Sequence, residues 1–336
     1  MLRRLIAYLA STGFGGEVLI GDSSSEAAFQ STAHAVARCQ GILTIRHIPL
    51  PGRPIAEAIK ELNESLRTSY VCLVGDDDFV VPRTIGCCIA FLKDNPTYVA
   101  AHGTGVLTTS PSSANTIGHA APYKQPIAEE DSAVRRLAAH LGSYSVSLFA
   151  VHRTEAWRKM FGVIETGQHA KYCNDVAFAT ELLPCCLSVV YGKVKQVEGL
   201  YLVRQTHSQR YLLPNWLSWV SSSAWSGSYV YFRNCLSREL STQDGIPLSE
   251  AETCVEQAFA VYFGNVVRKT LGRTPSPVRD RLQNYHLLQE GWRAVRSARD
   301  RMVPGNRLSL ACLLSVKSRY YADFRPIYEA VSKVSE

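Results

Sequence analysis

Three carboxylates stand side by side at Asp76, Asp77 and Asp78, in the stretch VCLVGDDDFVVP, between an apolar run and a proline. Like charges this close resist ionisation unless a cation or a water-rich cleft compensates them. The cluster therefore reads either as a solvated acidic turn or as one wall of a binding site. A second acid, Asp22, follows another apolar run in EVLIGDSSS. Two further acids, Asp175 and Glu181 in YCNDVAFATELL, could take up a proton, and LVRQTHSQR carries Arg204, His207 and Arg210 just past a third apolar run.

The elements that must position these residues are legible in the first 75 positions. Leu2, Leu5, Ile6 and Leu9 have helical spacing, and EVLIG follows a glycine-rich break as a short strand. SEAAFQSTAHAVARC reads as a helix, LTIRHIP as a strand, PIAEAIKELNESL as a helix opened by Pro54, and YVCLVG as a strand. This alternation predicts an α/β fold with a mostly parallel, doubly wound sheet. In such sheets ligands bind beyond the carboxyl ends of the strands, which is where both GDSSS and GDDD fall.

Two resemblances follow. The DxD followed by FVV resembles the first motif of haloacid dehalogenase-like phosphatases, in which the first Asp is the nucleophile and the second a general acid; that motif normally opens the fold, whereas here it follows earlier strands. The order and spacing of EVLIGDSSSE, the segment around GDDD, YCNDVAFATELL and EGLYLVRQTHSQR resemble the bacterial nucleotide-sugar glycosyltransferases of the A-type fold, over roughly residues 1–210. The second resemblance covers more of the chain.

It implies a DxD-containing, inverting transfer of a sugar from a nucleoside-diphosphate donor to a hydroxyl on a glycan or lipid-linked glycan, in surface polysaccharide synthesis. Asp22 would meet the nucleobase or ribose, Asp76 the ribose and Asp77 the nucleotide beside it, and Asp78, with Asp76 and His207, would hold Mn²⁺ or Mg²⁺. Arg204 would face the diphosphate and Arg53 would approach the nucleotide. The departing diphosphate needs a cation, and oxygen ligands suit these two metals. The acceptor needs a base. If NDVAFATELL is a helix capped by Asn174, about 100° per residue places Asp175 amid Phe178, Ala179 and Leu182 and turns Glu181 about 120° away. Asp175 is therefore the expected base and Glu181 its fallback. Tyr144, His152, Arg153 and Trp157 are expected on the acceptor wall, and residues 108–126 as a loop over the site. The resemblance also implies an opening strand that has no counterpart here, since the chain begins within a helix at Met1-Leu2-Arg3-Arg4. An inactive relative that only binds nucleotide or carbohydrate is a third reading.

Residues 211–336 form the expected C-terminal helical region, with Trp216, Trp219 and Trp225 as candidates for sugar stacking. Residues 268–336 hold 14 Lys/Arg against 6 Asp/Glu, which leaves 22 against 23 in the first 267 positions. The basic charge lies in the tail, where it suits peripheral contact with an anionic membrane; no nucleic-acid partner is expected. The ten cysteines include the pairs Cys87-Cys88 and Cys185-Cys186 but no zinc-ligand spacing. With no apolar run of about 18 residues and no convincing secretory leader, the sequence reads as cytoplasmic, at most peripheral at the inner membrane face.

Overall fold

The computed structural model describes residues 1–109, 116–164, 177–206, 216–271 and 308–332. Helix α1 (Leu2–Ser11), strand β1 (Glu17–Asp22), α2 (Glu26–Arg38), β2 (Thr44–Pro49) and α3 (Ile55–Ser65) follow the sequence periodicities. α1 buries Leu5, Ile6, Tyr8 and Leu9, one face of a 3.6-residue repeat. β1 and β2 pair in parallel, from Glu17 opposite Thr44 to Asp22 opposite Pro49, as the intervening helix allows.

The chain continues through β3 (Tyr70–Val71), β4 (Phe79–Val80), α4 (Pro82–Asp94), β5 (Tyr98–Thr109), β6 (His119–Tyr123), α5 (Ala133–Gly142), β7 (Val151–Arg153) and α6 (Thr154–Gly162). A π-helical turn, Ala177–Leu182, runs into α7 (Leu183–Tyr191) and then β8 (Lys193–Thr206). Helices α8 (Trp216–Val220), α9 (Trp225–Asp244), α10 (Leu248–Leu271), α11 (Leu310–Leu313) and α12 (Tyr321–Ser332) complete it. Among the described residues no helix is long and apolar enough to cross a membrane.

The expectation of a mostly parallel sheet is corrected. β1 and β2 form a two-stranded parallel sheet, and a second, mixed sheet has the order β3-β7-β5-β8-β4, with β6 also on β5. Within it only β5 and β8 run parallel; the β3–β7, β4–β8, β5–β6 and β5–β7 pairs are antiparallel. The physical reason is that the helix–strand alternation stops at the acidic turn. β4 follows β3 with no crossover helix, and β6 returns along β5, with Gly105 opposite Tyr123 and Thr109 opposite His119. That pairing also corrects the expected loop at 108–126, whose described ends belong to strands.

β5 and β8 shift register near His102–Gly105. There Gly199 adopts φ of 116°, a left-handed conformation that glycine takes without strain. A Cβ at Gly103 would lie 2.6 Å from the Gly199 carbonyl oxygen, so the two backbones meet directly. Such an irregularity bends a strand. It lies just ahead of the part of β8 that carries Arg204.

Two hydrophobic clusters tie the helices to the sheet. Phe232, Leu236 and Leu240 of α9 and Ala251 and Val255 of α10 share one cluster with Leu137 of α5 and Leu187 of α7. Phe324, Ile327 and Val331 of α12 share another with Leu5, Ile6 and Leu9 of α1. The expected boundary at 210 lies outside the described residues, and the helices beyond it are built into the core of the α/β part.

Candidate functional site

The acidic turn closes on itself, with the Asp78 N–H donating to the Gly75 carbonyl at 3.1 Å. A Cβ at position 75 would lie 2.7 Å from Oδ1 of Asp77 and 3.2 Å from Oδ2 of Asp78, so a side chain there would make the carboxylates shift. Asp76 is exposed, Asp77 half-buried and Asp78 wholly buried. Oδ2 of Asp78 accepts from Arg204 Nε at 2.8 Å and Oδ1 from the Gln205 N–H at 2.9 Å. The Gln205 side chain also donates to the Asp77 carbonyl. The turn after β3 is thus clamped to the end of β8.

Arg204 is gripped on its other sides as well. Its guanidinium lies 4.4 Å from the Phe149 ring centroid and 5.2 Å from that of Tyr123, and Nη1 donates to the Tyr123 hydroxyl at 3.1 Å. It keeps 29% of its side chain exposed, so a fixed cation reaches solvent at the rim of the turn. Burial pushes Asp78 up to about 6, with Arg204 holding it back. Burial acts against the Arg204 charge, yet Asp78 and Tyr123 outweigh it and raise its pKa.

Asp78, expected as a metal ligand, is engaged here by protein donors. Both its oxygens are occupied by protein donors, and a metal would have to displace a guanidinium from a buried carboxylate. Among the described residues no group of three His, Cys, Asp or Glu side chains is placed to hold a metal ion. Of the turn's three carboxylates, that of Asp76 is the exposed one. His207, expected as a third ligand, lies outside the described residues.

Glu181 sits in the π-helical turn, anchored by Phe178. The Phe178 ring packs 4.4 Å from Trp219 and 5.1 Å from Phe232, centroid to centroid. Tyr144 donates its hydroxyl to Glu181 Oε1 at 3.1 Å. Burial raises the Glu181 pKa, while Tyr144 and the Arg204 charge lower it. Glu181 is thus half-buried and held by Tyr144, on a segment that winds as a π-helix rather than as the α-helix assumed for the projection. Asp175 lies outside the described residues.

At the end of β1, Asp22 is already engaged. Oδ1 accepts from the Ser24 N–H at 2.9 Å and its hydroxyl at 2.5 Å, and Oδ2 lies 2.8 Å from His47 Nε2. The His47 ring stacks on Phe29 at 4.1 Å. Burial raises the Asp22 pKa, but the Ser24 and His47 bonds prevail and lower it. Arg53 follows β2 but pairs with Glu61 on the surface at 3.3 Å.

Of the expected acceptor wall, only Tyr144 meets a candidate catalytic group. His152 is buried between the Ala150 carbonyl and Ser188, Arg153 donates to the Tyr98, Leu92 and Asn95 carbonyls, and Trp157 is core. Trp219 is buried and packs edge-on to Trp225 at 4.9 Å, which makes both part of the aromatic core. The Trp216 side chain lies outside the described residues. His47, Tyr123, Phe149 and Gln205 were missed in the sequence. Only His47 left a signal: in the parallel register it is two residues before the Asp22 partner, Pro49, and so on the same face.

No protein-family model matches the chain, and no curated protein does. The structure of S. aureus TarS 1–349 in complex with UDP-GlcNAc is similar at 15% identity, covering 78% of this chain and 69% of that one, with a TM-score of 0.45. A further structure of S. aureus TarS 1–349 is similar at 12% identity, covering 84% and 73%, with a TM-score of 0.47. This chain spans about half, 52%, of the longer TarS structure.

Proposed function

We propose that this protein transfers a sugar from a nucleoside-diphosphate donor to a hydroxyl acceptor, as the order of its motifs implies. One observation carries the reading: Glu181, a carboxyl of raised pKa, lies in the field of Arg204, a guanidinium that Asp78 fixes beside the acidic turn. Glycosyl transfer needs a base and a leaving-group cation around one sugar.

The Glu181 carboxylate takes the proton of the acceptor hydroxyl. That oxygen's electron pair forms the new bond to the anomeric carbon, the bond to the diphosphate oxygen breaks, and its electrons leave with the diphosphate. The exposed guanidinium nitrogens of Arg204 receive that charge. Tyr144, holding Oε1, leaves Oε2 to the acceptor. Asp175 is retained as the alternative base, and the Asp22–His47 pair is assigned to the nucleoside end, with Arg53 at its margin. Asp76 and His207, with Asp78 if Arg204 yields it, are the residues proposed to hold Mg²⁺ or Mn²⁺, which when bound neutralises charge on the diphosphate. The phosphatase reading would need Asp78 as a general acid, and that side chain is committed to Arg204.

Calorimetry with a panel of nucleoside diphosphates, with and without Mn²⁺, followed by a sugar-transfer assay, tests the proposal. Binding that Arg204→Met weakens, together with transfer, is expected. Hydrolysis of a phosphomonoester would favour the phosphatase, and binding without transfer the inactive relative. The acceptor is proposed to be a glycan, free or lipid-linked. For the basic tail we propose salt-sensitive contact with anionic vesicles, read by sedimentation at low and high ionic strength.

A further inference from the structure

The acidic turn follows the carboxyl end of β3, and a separate hollow of about 510 Å³ lies at the amino end of the same strand. Residues 66–69, just ahead of β3, form one wall and the start of α6 the other. The antiparallel pairing of Tyr70 with Arg153 brings these stretches together, and the Thr154 N–H donates to the Ser69 carbonyl at 3.0 Å. Of the nine residues lining the hollow only Leu66 is apolar, and four cations stand against the single acid Glu155. That acid pairs with Lys159 at 2.9 Å and keeps 82% of its side chain exposed. Arg153 is spent on the Leu92, Asn95 and Tyr98 carbonyls. Arg158 donates to the Asn63 and Leu66 carbonyls at 3.4 and 2.8 Å, and Arg46 to that of Ser65. The last carbonyls of α3, which would repel an anion, are thereby covered. Arg67 is exposed and makes no hydrogen bond or ion pair among the described residues.

The wall also holds a donor that the fold leaves unused. Thr154 lines the hollow and is 5% exposed, and its Oγ1 is buried with no hydrogen-bond partner among the described residues. A buried hydroxyl in that state costs stability until something meets it. Thr154 is also the first residue of α6, and Arg153 at the N-cap supplies no side-chain cap. The positive end of the helix dipole therefore lies at the same place as the unused hydroxyl and the unpaired Arg67. Hydroxyl, helix start and guanidinium together suit an oxyanion. With no aromatic ring in the lining, a nucleobase would have nothing to stack on, whereas Thr68 and Ser69 offer hydroxyls to a polar carrier. The volume is in the range of small-molecule sites.

We propose that this hollow binds a phosphomonoester, its oxyanion held by the Thr154 hydroxyl, the start of α6, Arg67 and the Arg158 guanidinium, and its carrier by Thr68 and Ser69. The site is independent of the transferase reading, since none of its residues belongs to the acidic turn, to β8 or to the Glu181 segment. A free phosphorylated small molecule and the headgroup of a phosphomonoester lipid share this chemistry, and the experiment separates the two.

The test titrates the full chain by calorimetry with inorganic phosphate and with glycerol phosphate, glycerol serving as the uncharged control, and sediments it with phosphatidylcholine vesicles with and without phosphatidic acid. Thr154→Val removes a hydroxyl that has no partner to lose, and Arg67→Gln removes an exposed charge, so both variants are expected to unfold thermally as the parent does. Each should lower affinity for the phosphate probes at least about tenfold. Lys317→Gln, an exposed charge outside the hollow, should leave it unchanged. Soluble probes that bind the parent and are weakened by both variants assign the hollow to a free phosphomonoester. Binding to phosphatidic acid vesicles alone, weakened by both variants, assigns it to a lipid headgroup. Loss in Arg67→Gln without loss in Thr154→Val would reduce the effect to surface charge and overturn the proposal. So would binding that neither variant weakens, or no binding of any phosphate probe.

Discussion

Arg204 Nε donates to Asp78 Oδ2 at 2.8 Å across 126 positions of sequence, and the carboxylate it meets is wholly buried. The pair joins the turn after β3 to the end of β8 while leaving the guanidinium partly open to solvent. It serves the fold on one side and the site on the other.

Removing the cation should cost both. Arg204→Met would strand the Asp78 charge in the interior, and breaking a buried pair from one side costs about 3–5 kcal/mol. Urea unfolding is the measurement. Nucleoside-diphosphate affinity should fall about 10- to 100-fold, the worth of one charged hydrogen bond or a little more. The double variant Arg204→Met/Asp78→Asn should recover stability but not affinity; recovery of both would show that Arg204 has no role toward the ligand.

Glu181→Gln is expected to lower turnover by roughly two to four orders of magnitude with donor affinity nearly unchanged. Tyr144→Phe removes a hydrogen bond that favours the charged carboxylate, so the acid limb of kcat/KM should move to higher pH. A Tyr144→Phe profile that overlays the parent's would separate Tyr144 from the base.

Stability should decline in mild acid because of buried histidines. Burial lowers the pKa of His140 and His152 to about 4 from the ordinary value near 6.5. Between those values the unfolded chain binds protons that the folded chain refuses, so this contribution is complete above about pH 6.5 and is lost as pH falls toward 4. Neither ring nitrogen of His140 has a hydrogen-bond partner among the described residues, and its ring packs against Tyr144. His140→Phe should therefore be neutral or stabilising at pH 7.5 and should shrink the loss between pH 7.5 and 5 by up to about 1.4 kcal/mol for each pH unit below 6.5. Urea unfolding at the two pH values decides it; an unchanged loss would show that His140 can be protonated in the folded chain.

Gly75→Ala should weaken nucleotide binding strongly, because the added methyl group meets Asp77 and Asp78 inside the turn. Gly86→Ala, in α4 with nothing within 4 Å of the new Cβ, should instead add about 0.5–1 kcal/mol of stability. Calorimetry and thermal unfolding of the two variants side by side make the comparison. Equal nucleotide affinity in both would show that the carboxylate turn does not form the binding site.

The sequence by itself determined the local elements of the first 71 residues and the place of the acidic turn at a strand end. Those follow from apolar spacing and turn residues, whose physics acts over a few positions. It also singled out Arg204, Glu181 and Asp22 by type. Strand direction was beyond it, because parallel and antiparallel ladders draw on the same apolar residues and differ only in how the chain returns. It could not tell that Asp78 is spent on Arg204 and Gln205, since that contact joins residues 126 and 127 positions apart. Nor could it show that Tyr144 holds Glu181, since that contact joins residues 37 positions apart. Which carboxylates stay available for chemistry was decided by tertiary structure, because a buried carboxylate must find its donors wherever the fold brings them.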